Sequence, residues 1–432
     1  MADKVARRSD SVIDQPLNAL SAEISSSTAI VTKFLEENGH PQPSFDSSSP
    51  TSFPLDAPPN VQAARHRLIA AARDLHLLAY WPIDCGMYLT GDGCHLVYQH
   101  FITHFHIADN VPLQGSISYT DLASKLDLPV QKTTRILRYA MVDHIFREPQ
   151  LGYIAHTALS RALRKDSAIP VVPCMMANIV ENYMDALPKY VESIEKYGHE
   201  VETGENAPGT LGYGKPIMEF LAENPKNLAI LSATMEETKK ASWADLRQFV
   251  NGYEWAGIGG GVVVDVGGGE GPIAKAIASA FPQIHCVVHD RPSAVAKGQA
   301  ECPKAIASRV SWQAHDFFQP NPIKGADVYF MRWILHDWPD HSSAEILRNI
   351  AVSMGEKSRI VIADMVVPDP GVDNAVMEEL YRRIDIIMMS MNGIERSLGQ
   401  WEDLIGSVEG LKIASVRKLG QGVFSLIEVV KG

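Results

Sequence analysis

Apolar positions along the chain follow two different periods, and the change between them divides it. Leu17, Leu20, Ile24, Ile30, Val31, Phe34 and Leu35 recur at helical spacing until Gly39 stops the run. A second stripe, Val61, Ala64, Leu68, Ala71, Leu75 and Leu78, predicts another helix with Asn60 as its N-cap. Val97, Phe101 and Phe105 mark further helix within 95–108. Residues 40–60 carry six prolines and five serines, which predicts a linker or wrapped arm without regular structure, lying either against a partner subunit or across its own chain. These early helices need a surface on which to bury their stripes. A second copy of the chain is the simplest candidate, so a homodimer is expected.

Residues 116–165 read as a winged helix. Thr120-Asp121 caps a short helix, Leu128-Pro129 turns the chain, and Val130, Thr134, Leu137 and Met141 stripe a second helix. A hairpin of Ile145-Phe146 with Tyr153-Ile154 around Pro149–Gly152 forms the wing. From Pro170 to Met235 the pattern is mostly helical, broken by the loop 198–214. There Met175 and Met235 suit either core packing or the wall of a substrate pocket. Beyond Val250 the period shortens. Apolar runs at 262–266, 284–288, 310–312, 326–331 and 359–364 alternate with helical stretches, which predicts an α/β fold with a parallel sheet buried on both faces. The expected organisation is an N-terminal helical and winged-helix region (1–165), a helical connector to the substrate pocket (166–245) and a catalytic domain (246–432).

Charge and cysteine content narrow the setting. The chain has 432 residues with 39 basic against 51 acidic side chains, a net charge of −12. Lys132, Arg135 and Arg138 on the second winged-helix segment would suit DNA, but the acidic balance argues against nucleic acid as the main partner. No apolar run reaches the length of a membrane span. Cys85, Cys94, Cys174, Cys286 and Cys302 are odd in number and contain no C-x-x-C pair, which points to reduced thiols, a cytoplasmic protein and no metal site.

Candidate chemistry collects at the strand ends. The run 262–266 leads into Asp265-Val-Gly-Gly-Gly-Glu-Gly271 and then a helix. Gly267 and Gly269 let backbone approach a ligand, and the helix start offers unpaired N–H groups. Pro272 spoils a dinucleotide fingerprint, and no Gly-Lys-Ser/Thr follows for a P-loop. What remains resembles the S-adenosylmethionine loop of class I methyltransferases. Asp290, followed by Arg291, ends the second run and suits ribose hydroxyls. Asp316 and Phe317 suit an adenine amino group and ring. The fourth run leads into Arg332-Trp-Ile-Leu-His336-Asp337-Trp338, where His336 is the candidate general base and Asp364 or Glu395 its carboxylate partner. Ligands gather at the carboxyl ends of such strands. Asp265, Asp290, Asp316, Arg332 and Asp364 all fall there.

Asp265–Gly271, Asp290, Asp316-Phe317, Trp333–Trp338 and Glu395-Arg396 together resemble the caffeate-type O-methyltransferases, with the opening helices and arm similar to the fungal secondary-metabolism branch. The resemblance implies a class I methyltransferase Rossmann-like sheet behind a winged-helix dimerisation domain, with S-adenosylmethionine as cofactor. It implies that Asp265, Gly267, Gly269, Asp290, Arg291, Asp316, Phe317 and Arg332 bind the cofactor. His336 would be the base, with Asp364 and Glu395 as acidic helpers. Asp364 stands where plant members usually carry glutamate, and Arg332 where they carry lysine. His156, Met175, Met235, Met388, Met389 and Asn392 are the expected substrate contacts. The implied reaction is methyl transfer to a hydroxyl of a small aromatic or polyketide-type molecule. The alternative is dehydration or pericyclic ring closure on the same fold, with the cofactor retained.

Overall fold

The structure is a computed structural model that describes residues 16–54, 56–167, 176, 184–224, 226–227, 229–230, 246–370, 372–420 and 422–432. The chain forms two compact units. One comprises Met1–Met184, Leu221–Ala241 and Pro370–Glu378, the other Asp185–Phe220, Ser242–Asp369 and Glu379–Gly432.

In the first unit the striped helices run Leu17–Glu37 and Pro59–Ala79 and pack on each other. The second is not capped by Asn60. It starts at Pro59 with Pro58 in the cap position and no side-chain cap, because a proline in the first turn has no N–H to satisfy and a φ already set for helix. Helices Trp81–Leu89 and His95–His104 follow. The winged helix then consists of strand β1 (Ile117–Ser118), helices Tyr119–Lys125 and Val130–Ala140, and strands β2 (Arg147–Gln150) and β3 (Tyr153–Ala155), in sheet order β1-β3-β2. Ser118, rather than Thr120, caps the first helix, its hydroxyl accepting from the Asp121 N–H at 3.0 Å. The wing begins after Phe146. That residue is buried in left-handed backbone (φ 69°) and so belongs to the core instead of the ladder.

The proline/serine arm packs on its own chain. Phe45 stacks on His144 with ring centroids 3.8 Å apart, its carbonyl accepts from Ala158 N–H at 3.1 Å, and Arg161 donates to the carbonyls of Ser47 and Ser49.

The second unit is built on a seven-stranded sheet. Its strands are β4 (Val262–Val266), β5 (His285–Asp290), β6 (Val310–Ala314), β7 (Val328–Arg332), β8 (Arg359–Met365), β9 (Leu411–Lys418) and β10 (Phe424–Lys431), in the order β6-β5-β4-β7-β8-β10-β9. Strands β4 to β8 pair in parallel, and β10 inserts antiparallel between β8 and β9. The β-branched runs are buried on both faces, as a parallel sheet covered by helices requires. The first crossover helix, Pro272–Ala280, buries Ile273, Ala274, Ile277 and Ala278. Of the segment between the two expected domains, helices Lys189–Tyr197 and Pro208–Tyr213 belong to the sheet unit.

Candidate active site

The parallel strands deliver their carboxyl ends to one edge, and the glycine turn opens there. Gly267 and Gly268 donate to the His289 carbonyl at 2.8 and 3.2 Å, and Gly269 N–H donates to Asp290 Oδ2 at 2.7 Å. Gly267, Gly269 and Gly271 stand at φ 68°, 60° and 71°, backbone that side chains other than glycine rarely adopt. A Cβ on Gly267 would strike Ile334, whereas one on Gly269 would meet nothing within 4 Å. The first glycine is packed and the second is open. Asp290 uses its other oxygen on the Arg291 N–H at 2.7 Å, yet an ionised carboxylate keeps lone pairs for ribose hydroxyls. The Arg291 side chain itself is 65% exposed. Asp316 accepts from the Phe318 N–H at 3.0 Å, and Phe317 lies edge-on to Trp338 at 6.1 Å.

Two charged groups lie beneath this edge. Burial lifts the Asp265 carboxyl to about 7, with the Arg332 charge opposing, and its Oδ2 has no hydrogen-bond partner. Arg332 is held below its ordinary pKa by burial, with Asp265 and Asp364 acting the other way. The rings of Phe249 and Trp333 each lie 5.8 Å from its guanidinium. An orphaned buried carboxylate oxygen beside an open glycine turn fits a cationic ligand rich in donors. Asp265, Gly267, Gly269, Asp290, Asp316, Phe317 and Arg332, expected from the sequence to bind S-adenosylmethionine, lie at or beneath this edge.

The imidazole lies one strand over. Strand β7 ends at Arg332, Trp333 turns through left-handed backbone (φ 54°), and the short 3-10 turn Leu335–Asp337 presents His336. His336 Nδ1 meets Glu395 Oε1 at 2.6 Å, a short charge-assisted bond that assigns the Nδ1 proton to the Glu395 side. The Asp337 carboxylate lies 3.4 Å from Nε2. The Trp333 ring stacks at 5.8 Å and 15°. Burial disfavours the imidazolium, but Asp337, Glu395 and Asp364 together outweigh it and raise the His336 pKa to about 10. Asp364, expected as a helper, makes no hydrogen bond to the ring. Its Oδ1 accepts from the Trp333 N–H at 3.1 Å, and burial raises its own carboxyl to about 7. It acts on His336 only through charge.

The remaining expectations divide. Met388 is buried and Met389 exposed on the helix Ala375–Met389. Asn392 is occupied within the protein, donating to the Thr203 carbonyl at 2.8 Å and to Asn206 Oδ1 at 2.7 Å. His156 lies in the core of the first unit, its Nδ1 at 2.9 Å from Ser160 Oγ and its Nε2 at 3.2 Å from the Val111 carbonyl, so neither nitrogen is left for a ligand. Met175 and Met235 lie outside the described residues. Sequence reasoning passed over Asp337 as a ring contact, although its place directly after the histidine was a signal. It also passed over Asp385, which accepts from the Glu395 N–H at 3.0 Å and carried no signal of its own. Among the described residues no group of three or more His, Cys, Asp or Glu side chains could hold a metal.

Comparison with known proteins shows the family and the fold. Residues 196–410 match the model of the O-methyltransferase domain family. The chain is 39% identical over 419 residues to the Hps1-dma1 cluster O-methyltransferase of Dothistroma septosporum, covering 96% of each. The fold is that of OxaC, solved with SAH and oxaline (TM-score 0.76, 21% identity, 96% of this chain and 99% of that one). It is equally that of a structure described as a pericyclic reaction enzyme (TM-score 0.70, 23% identity, 86% and 95%).

Proposed function

Because the chain belongs to the O-methyltransferase family, and is thereby an enzyme that methylates hydroxyl groups of secondary metabolites with S-adenosylmethionine, we propose that His336 is its general base. The observation that carries this reading is the 2.6 Å bond from Nδ1 to Glu395, which commits that nitrogen and makes Nε2, with Asp337 3.4 Å away, the one to take the acceptor's proton. When bound, S-adenosylmethionine supplies a methyl group already activated on a sulfonium. The acceptor oxygen needs to lie in line at roughly 3–3.5 Å and to lose its proton. Nε2 takes that proton, and Glu395 holds the ring in one tautomer and offsets the charge that forms. The preferred acceptor is a phenol or enol on a small aromatic or polyketide-type skeleton.

Replacing His336 with Gln tests this. Methyl transfer should fall roughly 10²–10⁴-fold, while S-adenosylmethionine binding by calorimetry stays unchanged. A variant as active as wild type would remove His336 from the role.

A second reading has its own support in the raised His336 pKa, since a protonated imidazole among carboxylates is equipped to donate to a substrate carbonyl. Dehydration or pericyclic ring closure would use that donor. Product mass separates the readings: one added methyl group selects the first, and an isomer or loss of water without cofactor turnover selects the second.

We also propose a cytoplasmic homodimer. Cys85, Cys94, Cys286 and Cys302 are free thiols, and among the described residues no helix is long and apolar enough to cross a membrane. Helix Trp81–Leu89 buries none of its residues, with Trp81, Ile83 and Met87 exposed by 74, 81 and 71%. A second copy covering that face would account for them.

A further inference from the structure

The turn that carries His336 is gripped from behind by the residue that follows Glu395. Arg396 is completely buried, and four N–H contacts of its guanidinium are taken up by one short stretch of chain. Nη1 donates to the Leu335 carbonyl and Nη2 to the Trp338 carbonyl, both at 2.8 Å. Nη2 also reaches Ser343 Oγ at 3.2 Å, and Nε donates to Asp340 at 2.8 Å. Leu335 and Trp338 are the two ends of the turn whose middle residues are His336 and Asp337. The guanidinium is fixed in its turn. It stacks over Trp401 at 5.3 Å, and Trp401 Nε1 donates to the Met365 carbonyl at the end of β8 at 2.9 Å. The backbone completes the grip. Ile394 N–H donates to the His336 carbonyl at 2.8 Å, and Gly393 lies so close under that carbonyl that a Cβ there would strike it.

The segment 393–396 therefore approaches His336 from both sides. Gly393, Ile394 and Arg396 hold the backbone of the turn, and Glu395 holds the ring. Planar, forked donors bridge two carbonyls in a fixed geometry, which a lysine's point charge does not. The grip serves neither charge neutralisation alone nor packing alone. Asp340, the ion-pair partner, is 64% exposed, so solvent screens its charge, but its bond to Nε still fixes the plane of the buried guanidinium. The two carbonyl bonds are buried and aimed at the turn's ends.

We propose that Arg396 is a positioning residue for the reaction, fixing the turn Leu335–Trp338 at the distance from which Glu395 holds His336 Nδ1. This rests on the reading of His336 as the base. Its consequence is that the His336–Glu395 bond loosens when the fork is lost, although Arg396 touches neither the ring nor Glu395's carboxylate. The groups facing the ring are Asp337 on its own turn, Asp364 on β8 and Glu395, with Asp385 behind Glu395.

The test is proton NMR of the full chain labelled with ¹⁵N-histidine, with no acceptor required. The short Nδ1–H···Glu395 bond should give a downfield imidazole proton that disappears in His336→Gln. Arg396→Lys should shift that resonance upfield or broaden it, and should move the ring's titration down towards an ordinary imidazole. Asp340→Asn, at the open end of the same guanidinium, should move both in the same direction by less. In methyl transfer Arg396→Lys should lower kcat about 10- to 100-fold with the KM for S-adenosylmethionine unchanged, and should lower nothing further in a His336→Gln background. If resonance, titration and kcat all stay at wild-type values in a folded Arg396→Lys protein, the proposal is overturned. Loss of thermal stability with the resonance and titration unmoved also overturns it, since Arg396 would then be structural only. Should Arg396→Lys not fold, Asp340→Asn carries the test alone, and an unmoved resonance there overturns the proposal. Failure of the base reading looks different: His336→Gln would keep methyl transfer whatever the resonance does.

Discussion

At the scale of single residues the central fact is one imidazole among several carboxylates. Burial alone would push His336 to titrate low, yet Asp337, Glu395 and Asp364 raise it to about 10. The sign matters for catalysis. A raised pKa means the ring is protonated at neutral pH, so the basic form grows as pH rises. We expect kcat/KM for methyl transfer to climb with pH well beyond the range of an ordinary histidine, near 6.5. Glu395→Gln removes one of the raising charges, so the rising limb should move to lower pH while the maximum rate falls. A limb that stays where it was in Glu395→Gln would show that another group sets it. Much of this was legible beforehand. His336 and Glu395 lie 59 positions apart in sequence and meet at 2.6 Å. Asp364 was named as well but turned to the Trp333 N–H, at the residue whose φ of 54° starts the turn towards His336. No feature of the letters announces a positive φ at a tryptophan.

At the scale of elements, the strand–turn–helix at 262–280 was readable because its residues leave few choices. β-branched side chains buried on two faces make a central parallel strand, and glycines at three left-handed positions make the turn. The turn's glycines are not equivalent, which gives an expectation. Alanine at either Gly267 or Gly269 carries about 1–2 kcal/mol of left-handed strain, but only Gly267→Ala adds a collision with Ile334. Gly267→Ala should therefore lower Tm by the greater margin, a few degrees or more. Gly269→Ala should leave Tm closer to wild type and weaken S-adenosylmethionine binding in calorimetry. Equal Tm losses would mean Ile334 yields. The wing and the helix starts were read one to three residues out of place. Their true limits depend on Phe146 entering the core and on Pro59 opening a helix, which are matters of packing and of a missing N–H.

At the scale of the whole molecule, sequence periodicity separated helical N-terminal from α/β C-terminal material, and the fold has both: a helical N-terminal region and a C-terminal, mostly parallel sheet. Of the described residues between the two, 185–220 fall in the unit of the sheet and 221–224 in the unit of the winged helix. The exposed face of helix Trp81–Leu89 turns the dimer expectation into a measurement. Ile83→Glu should shift the mass seen by sedimentation velocity from dimer towards monomer, whereas the same change at the isolated exposed residue Val352 should not. A wild-type protein that sediments as a monomer would remove the dimer.

The sequence by itself determined whatever depends on local chemistry and on spacing. That covers the parallel strands, the glycine turn, the acids at the strand ends and the histidine after β7. Only the tertiary structure decided which of those acids touches the imidazole, that Asn392 and His156 spend their polar groups inside the protein, and that Arg396 braces the turn. Those outcomes turn on side-chain direction and on which distant carbonyls come within hydrogen-bond reach. Direction is set by backbone angles and packing from across the fold, and linear order holds no record of either.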